Sequence, residues 1–440
     1  MTETNDVLMI RGGIPLRGEL PVYRAKNSAL YLIFASLLTD ELVVLEDVPR
    51  LSDVLVSEEI LRHVGVETAW HDHELHLTAG TIRTCNAPYG LVSKMRASFV
   101  IMGALLGRCG EARVPMPGGC AFGPRPVDRH LSALREIGVV IDEDGGDFYA
   151  RKTRAFGGTT RFEAPTVGGT QNVMLASVLG DGVVTIDNAA LEPEVADLAR
   201  MLNAMGADVT GAGTRTITVR GVPRLGGVRF RPIADRIEAG TYLLAVAASR
   251  GTVRLTDVEP QHLDAVLTSL QATGVRVSTT QDSISIDASG PLNATDIDAR
   301  EYPGVPTDLQ APFSAFLATV DGVSNLRDHV YPDRFTHVDD LARTGARLSL
   351  DERRLEVRGG PLKGAAMHAA DIRAGGALIV AALAAQGVSE IAGLKFVDRG
   401  YERFAERLAD LGADVQRHSA PRLTATGTYG SVGVTGPLTN

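Results

Sequence analysis

"LNAMGADVTG", residues 202–211, reads as the last turn of a helix, a glycine and the opening of a strand. Five other stretches share its cadence: "LRHVGVETAW" (61–70), "LREIGVVIDE" (134–143), "LQATGVRVST" (270–279), "LARTGARLSL" (341–350) and "LADLGADVQR" (408–417). In each, the apolar spacing changes from helical to alternating across the glycine, as a helix-to-strand junction requires. The markers Gly65, Gly138, Gly206, Gly274, Gly345 and Gly412 stand, by subtraction, 73, 68, 68, 71 and 67 residues apart. A steady period of about 70 residues means copies of one supersecondary unit.

A second element recurs between the markers: "AKNSALYLIFASLLTDE" (25–41), "MRASFVIMGALLGRCG" (95–110), "GTQNVMLASVLGDG" (169–182), "RIEAGTYLLAVAASRG" (236–251), "TDLQAPFSAFLATVDG" (307–322) and "IRAGGALIVAALAAQG" (372–387). These helices are apolar around most of their circumference, which predicts burial. Short alternating strands follow, such as "VVTIDNA" (183–189) and "TVRLTDV" (252–258). The chain is therefore α/β, built of six modules, each with one buried and one amphipathic helix. The simplest arrangement is two domains of three, with buried helices inside and sheets and amphipathic helices outside. The opening strands, "VLMIRGG" (7–13) and "LRGELPV" (16–22), precede the first buried helix, and are predicted to complete the last module near Val415. The predicted domains are 26–233, and 1–25 together with 234–420, with the middle boundary near "RFRPIADR" (229–236). The Gly- and Thr-rich residues 421–440 are predicted to be an extension.

Composition narrows the function. A chain of 440 residues with 44% hydrophobic residues can bury large cores. The net charge of −9 and the lack of any basic run exclude non-specific nucleic-acid binding. No apolar window approaches a membrane span and no secretory leader opens the chain, so a cytoplasmic protein without a membrane partner is expected. "HDHELH" (71–76) reads as an exposed hairpin in preference to a metal pair. "RGGIP" (11–15) and "GGTQN" (168–172) lack the lysine of a phosphate-binding loop. Three cysteines are too few and too scattered for a disulfide framework or a zinc site, and Cys85 and Cys109 are expected to be inert buried side chains.

The informative charges stand where buried helices begin. Lys26, Arg96, Arg236 and Arg373 lie in N-terminal turns, where the helix dipole is already positive and a cation costs about 0.3–1 kcal/mol. Side chains snorkelling to water would tolerate that cost. Helix ends converging on a cleft would instead combine cations, free N–H groups and dipoles into a site for a phosphate-rich or compact polyanion. Asp308 holds the equivalent position in the fifth helix, as a helix cap with Thr307 or as a general base beside arginines. Arg334 and Arg399 would make either local pairs with Asp333 and Asp398 or part of the cationic site. "PMPGGCAFGPRPVDRH" (115–130) is broken by proline and glycine, so Cys120 is expected to be exposed on a movable lid, 115–126, with Arg125 favouring its thiolate.

"AKN" (25–27), "MRAS" (95–98), "PGGC" with "RPVD" (117–128), "EPE" (192–194), "DRIEAGT" (235–241), "PTDLQ" (306–310), "DIRAG" (371–375) and "DRGYER" (398–403) together resemble the enolpyruvyl transferase family, over about residues 8–418. The resemblance is to its uridine-nucleotide branch, not to the shikimate branch, because the lid cysteine and "RPVD" belong to the former. It implies an inside-out, two-domain α/β barrel of six βαβαββ repeats, three per domain. It also implies phosphoenolpyruvate and a uridine nucleotide as substrates, with no metal or organic cofactor. Lys26, Arg125 and Arg399 would hold the phosphate of phosphoenolpyruvate, while Arg334 and Arg373 would hold its carboxylate. Asp308 would take the proton of the attacking hydroxyl, and Cys120 would protonate or covalently trap phosphoenolpyruvate; it is also the expected target of the epoxide phosphonate fosfomycin. Asn27, Arg96, Asp308 and Val330 would line the acceptor, with Arg125, Pro126, Val127, Asp128 and Arg129 at the uracil and Thr166, Val167 and Gly168 at its phosphates.

Departures from the family pattern cluster on the acceptor side. Tyr23 and Arg24 replace small residues, Val100 and Val305 replace aromatics, Leu191 replaces a basic residue, and Ala164 stands where some members have lysine. Three readings follow: transfer to UDP-N-acetylglucosamine, transfer to a smaller nucleotide such as UMP, or a catalytically silent paralogue that binds a uridine nucleotide.

Overall fold

The structure, a computed structural model, describes residues 6–117 and 127–419. Six helices are almost wholly buried or continue a buried turn: α1 (Lys26–Ala35), α2 (Ile101–Cys109), α3 (Val167–Ser177), α4 (Arg236–Ala248), α5 (Gln310–Leu317) and α6 (Ile372–Ala384). Every residue of α4 is buried, as expected of a helix with no polar face. Each of the first five leads to a strand, an outer helix and a hairpin, while α6 leads to a strand, two short outer helices and the single strand Asp414–Ser419. All six marker glycines have positive φ, between 83° and 113°. They end the outer helices in the left-handed conformation that a residue without Cβ adopts at little cost, which is why the markers recur.

The described strands form six sheets. In Val228–Phe230, Leu42–Leu45, Glu74–Thr78 and Glu67–His71, the first pair is parallel and the other two antiparallel. Four other sheets repeat that order with one parallel entering strand. The sixth has only Glu111–Pro115, Asp147–Lys152 and Val139–Asp144 as strands, and its entering strand is reduced to a single parallel bridge between Asn86 and Arg113. Asp6–Arg11 pairs with Val388–Ala392 and Asp414–Ser419, so the beginning of the chain does complete the last module. "HDHELH" is the turn of a hairpin in which His71 faces Glu74.

The buried hydrophobic residues divide into two clusters. One runs from Ala29 to Leu225; the other takes Leu8 to Val22 and then Ala234 to Ala413. The chain passes between them twice, and the two crossings lie side by side: Ala25 N–H donates to Ile233 O at 2.8 Å and Asp235 N–H to Tyr23 O at 2.8 Å. Arg24 donates there to the Asp257 carbonyl at 3.2 Å and pairs with its carboxylate, while Arg231 reaches Asp47 at 2.7 Å and Asp257 at 3.3 Å. Asp235 caps α4 through Ile237 N–H and Glu238 N–H, and its other oxygen accepts from Lys26 N–H at 3.2 Å. One carboxylate thus serves the first turns of two buried helices, one from each cluster.

Candidate active site

Cations and carboxylates from both clusters meet where the buried helices begin. Arg373, in the first turn of α6, donates Nε–H to Asp308 Oδ1 at 2.7 Å, and Arg334 reaches the same oxygen at 3.1 Å. Both arginine side chains are 9% exposed. Asp308 sits in the turn Thr307–Leu309, whose N-cap is Pro306 and which has no side-chain cap, so capping is not what holds this carboxylate. Burial works against its ionisation, but Arg373 and Arg334, with Arg236 behind them, outweigh that and keep its carboxyl well below the usual range.

Asp53 forms a matching centre. Its two oxygens take Lys26 Nζ at 3.0 Å and Arg399 Nε–H at 2.8 Å. Asp53 lies on the outer helix Ser52–Val64, packed on the first cluster, and Arg399 on Leu394–Gly400, packed on the second, so this pair ties the two together. Glu194 does the same opposite Arg236, with both carboxylate oxygens on the guanidinium at 3.0 and 3.2 Å. Neither Arg334 nor Arg399 makes the local pair that sequence offered as the alternative: Asp398 is taken by Arg417.

Sequence reasoning missed Asp53 and gave Glu194 no role. Both occupy first turns of amphipathic outer helices, where an acidic residue is ordinarily explained by the helix dipole. Only a search for carboxylates facing the cationic turns, not possible from spacing alone, would have singled them out.

The remaining candidates differ in exposure. Asn27 and Arg96 are half-buried, in α1 and in the turn Arg96–Val100 leading into α2. Thr166 caps α3, accepting from Gly169 N–H at 3.3 Å, and Val167 and Gly168 form the first turn. Gly168 is a close approach: a Cβ there would stand 3.0 Å from His130 Cε1 and 3.9 Å from Val100 Cγ2. Burial, reinforced by Arg96, pushes His130 down to about 3, so the ring is neutral, and Asn172 bonds its Nδ1 at 3.1 Å. Asp128 and Arg129 are exposed, whereas the Val127 side chain is in the core. Val330 N–H donates to Asp328 at 2.9 Å, which also fixes Tyr331. Cys120, Arg125 and Pro126 lie outside the described residues, as does most of the proposed lid.

One expectation is corrected. Cys85 and Cys109 are not separate buried thiols: they form a disulfide, with Cα atoms 6.8 Å apart, and both are partly exposed. Their separation of 24 residues concealed this, because Cys85 returns beside the end of α2 only through the Asn86–Arg113 bridge. Tyr23 and Arg24, counted among the acceptor-side departures, stand at the crossing between the two clusters. Arg24 is bound to Asp257 at the crossing, and the Tyr23 ring lies under the Arg407 guanidinium at 3.7 Å. Of the acceptor-side departures, Val100 does lie beside Gly168.

Comparison with known proteins agrees with this arrangement. The family described as EPSP synthase (3-phosphoshikimate 1-carboxyvinyltransferase) matches residues 10–408. UDP-N-acetylglucosamine 1-carboxyvinyltransferase of Thermus thermophilus is 53% identical over 94% of this chain and 97% of its own. The protein of that name from Deinococcus deserti is 48% identical, over 93% and 97%. Among solved structures, the enolpyruvyl transferase NikO from Streptomyces tendae superimposes with a TM-score of 0.85 at 25% identity, covering 95% of this chain and all of that one. The inside-out barrel of six repeats, the crossing helix ends and the match along nearly the whole chain lead to one conclusion: this protein is an enzyme of the enolpyruvyl transferase family.

Proposed function

We propose that the protein transfers the enolpyruvyl group of phosphoenolpyruvate to the 3′-hydroxyl of UDP-N-acetylglucosamine and releases phosphate. The observation that carries this reading is the pair of carboxylates that each bridge two cations, Asp53 on Lys26 and Arg399, and Asp308 on Arg334 and Arg373. Phosphoenolpyruvate brings two anionic groups. Its phosphate would replace Asp53 at Lys26 and Arg399, joined by Arg125, and its carboxylate would replace Asp308 at Arg334 and Arg373. Displacement is what arms the base: once the arginines turn to the substrate, Asp308 loses the charges that depress its proton affinity and can accept the hydroxyl proton. Protonation of the methylene carbon, assigned to Cys120, makes the central carbon electrophilic. The acceptor oxygen adds, and phosphate leaves from the tetrahedral intermediate while the fixed cations stabilise its charge.

In this reading the units 26–233 and 1–25 with 234–420 close on the substrates, in the cytoplasm where phosphoenolpyruvate is found. The relatives at 53% and 48% identity support the acceptor, and the placement of Tyr23 and Arg24 at the crossing removes two of the departures that argued against it. UMP is a second reading, favoured by Val100, Leu191 and Val305, whose side chains are smaller or less polar than the family's usual residues. Retention of every described cation and of Asp308 speaks against a silent paralogue. The test is product identity: with UDP-N-acetylglucosamine, mass spectrometry and proton NMR should report an added enolpyruvyl group with vinyl protons. An unmodified nucleotide, or an adduct formed only on UMP, would overturn the assignment.

A further inference from the structure

The sixth sheet differs from the other five at one edge. Where they have a parallel entering strand, it has only the Asn86–Arg113 bridge, with Arg113 N–H donating to Cys85 O at 2.9 Å and Ala87 N–H to Arg113 O at 2.8 Å. The Cys85–Cys109 disulfide lies beside this reduced edge and ties it covalently to the end of α2. The missing strand leaves a cleft of about 660 Å³ lined by both cysteines, by Arg83, Arg113 and Arg151, and by the carboxylates Glu111 and Asp142. Arg113 is paired with Asp147, whereas Arg83 and Arg151 make no ion pair among the described residues. Both cysteines are partly exposed and reachable from this cleft.

What the disulfide encloses gives it consequence. The loop from Cys85 to Cys109 contains Arg96, and two residues on the Ser98 hydroxyl donates to the Val92 carbonyl at 3.1 Å. Among the described residues, the backbone bonds at this edge are the two of the bridge and one from Arg83 N–H to Val64 O at 2.8 Å.

We propose that Cys85 and Cys109 are a reversible thiol–disulfide pair, opened by a small thiol that enters this cleft, and that its oxidation state sets how firmly Arg96 is positioned for the acceptor. In the exchange, the thiolate attacks one cysteine sulfur, the S–S bond breaks and the other cysteine leaves as thiolate. A second molecule of the small thiol attacks the mixed disulfide. Two small thiols are oxidised to one disulfide, and the two electrons and two protons pass to Cys85 and Cys109. The coupling to the acceptor rests on the transferase reading above; the exchange itself does not.

The experiment equilibrates the whole protein in glutathione buffers of graded ratio, quenches with acid, alkylates free thiols and reads each cysteine peptide by mass, which keeps Cys120 separate. Cys85 and Cys109 should become alkylatable together, at one ratio. Under fully reducing conditions the KM for the acceptor should rise about fivefold with the KM for phosphoenolpyruvate unchanged, a coupling at the low end of the usual range. Cys85→Ser should show the reduced value in every buffer. Alkylation of the two cysteines independently of one another, or an acceptor KM in Cys85→Ser equal to that of the oxidised parent, would each overturn the corresponding part of the proposal. Because the mass measurement needs no turnover, its failure is distinguishable from failure of the assigned reaction.

Discussion

Replacing Asp308 with asparagine separates base from clamp. The substitution keeps the shape and one acceptor oxygen for Arg373 and Arg334, which lie 2.7 and 3.1 Å away, but removes the charge and the capacity to take a proton. Loss of a general base should lower kcat by about 10²–10⁴-fold. The KM for phosphoenolpyruvate should not rise, because the carboxylate that competes for both arginines is gone. Each charge-assisted bond that Asp308 makes is worth about 1.5–3 kcal/mol, so relief of even part of that competition allows a KM several-fold lower. Phosphate release measured across both substrate concentrations separates the two effects. The pH profile adds a check with a defined sign. In the free enzyme the arginines hold the Asp308 carboxyl well below the usual range, so the acid limb it gives kcat/KM should lie below that of an ordinary carboxylate; with substrate on the arginines, the acid limb of kcat should move up. Turnover within about tenfold of the parent, or a kcat loss matched by a large rise in the KM for phosphoenolpyruvate, would refute the displacement argument.

Three other substitutions test separate links. Arg373→Ala should raise the KM for phosphoenolpyruvate at least tenfold, since it removes a charge-assisted donor and leaves Asp308 partly uncompensated, and steady-state kinetics would show it. Gly103→Ala puts a Cβ 2.1 Å from the Asn172 carbonyl oxygen where α2 crosses α3, so thermal unfolding should reveal a loss of about 1–3 kcal/mol or more. Glu238, 3% exposed, is pushed up to about 7 by burial, against the opposing pull of Arg407. Because the folded state binds that proton more tightly than the unfolded chain, its contribution is fully present below the ordinary carboxylate pKa and is lost as pH rises through about 7. Each tenfold difference in proton affinity between the two states is worth about 1.4 kcal/mol. Chemical denaturation from pH 5 to 8 should show this slope in the parent and a flatter one in Glu238→Gln.

Periodicity made the modules legible because each marker glycine answers a local demand, a left-handed residue closing an outer helix, and because each buried helix must be apolar all round. The same reasoning located Lys26, Arg236 and Arg373, since a cation in a first helical turn conflicts with local electrostatics and calls for a distant explanation. Asp53 and Glu194 raised no such conflict. They satisfy their own helices, and their service to Lys26, Arg399 and Arg236 exists only once the two clusters face each other. Arg24 shows the converse: out of place by comparison with relatives, it was assigned to the acceptor, yet its partner Asp257 is brought beside it only by the paired crossings. The Cys85–Cys109 pairing was illegible for a topological reason, because one sheet lost its entering strand and replaced a ladder with a bridge.

The central claim is most directly tested by phosphate release from phosphoenolpyruvate with UDP-N-acetylglucosamine, UMP, UDP and shikimate 3-phosphate supplied in turn. The account predicts stoichiometric release with UDP-N-acetylglucosamine, with a kcat/KM above that for the other three and none for shikimate 3-phosphate. Release with UMP and not with UDP-N-acetylglucosamine would contradict the acceptor, and release with none of the four would contradict the reaction.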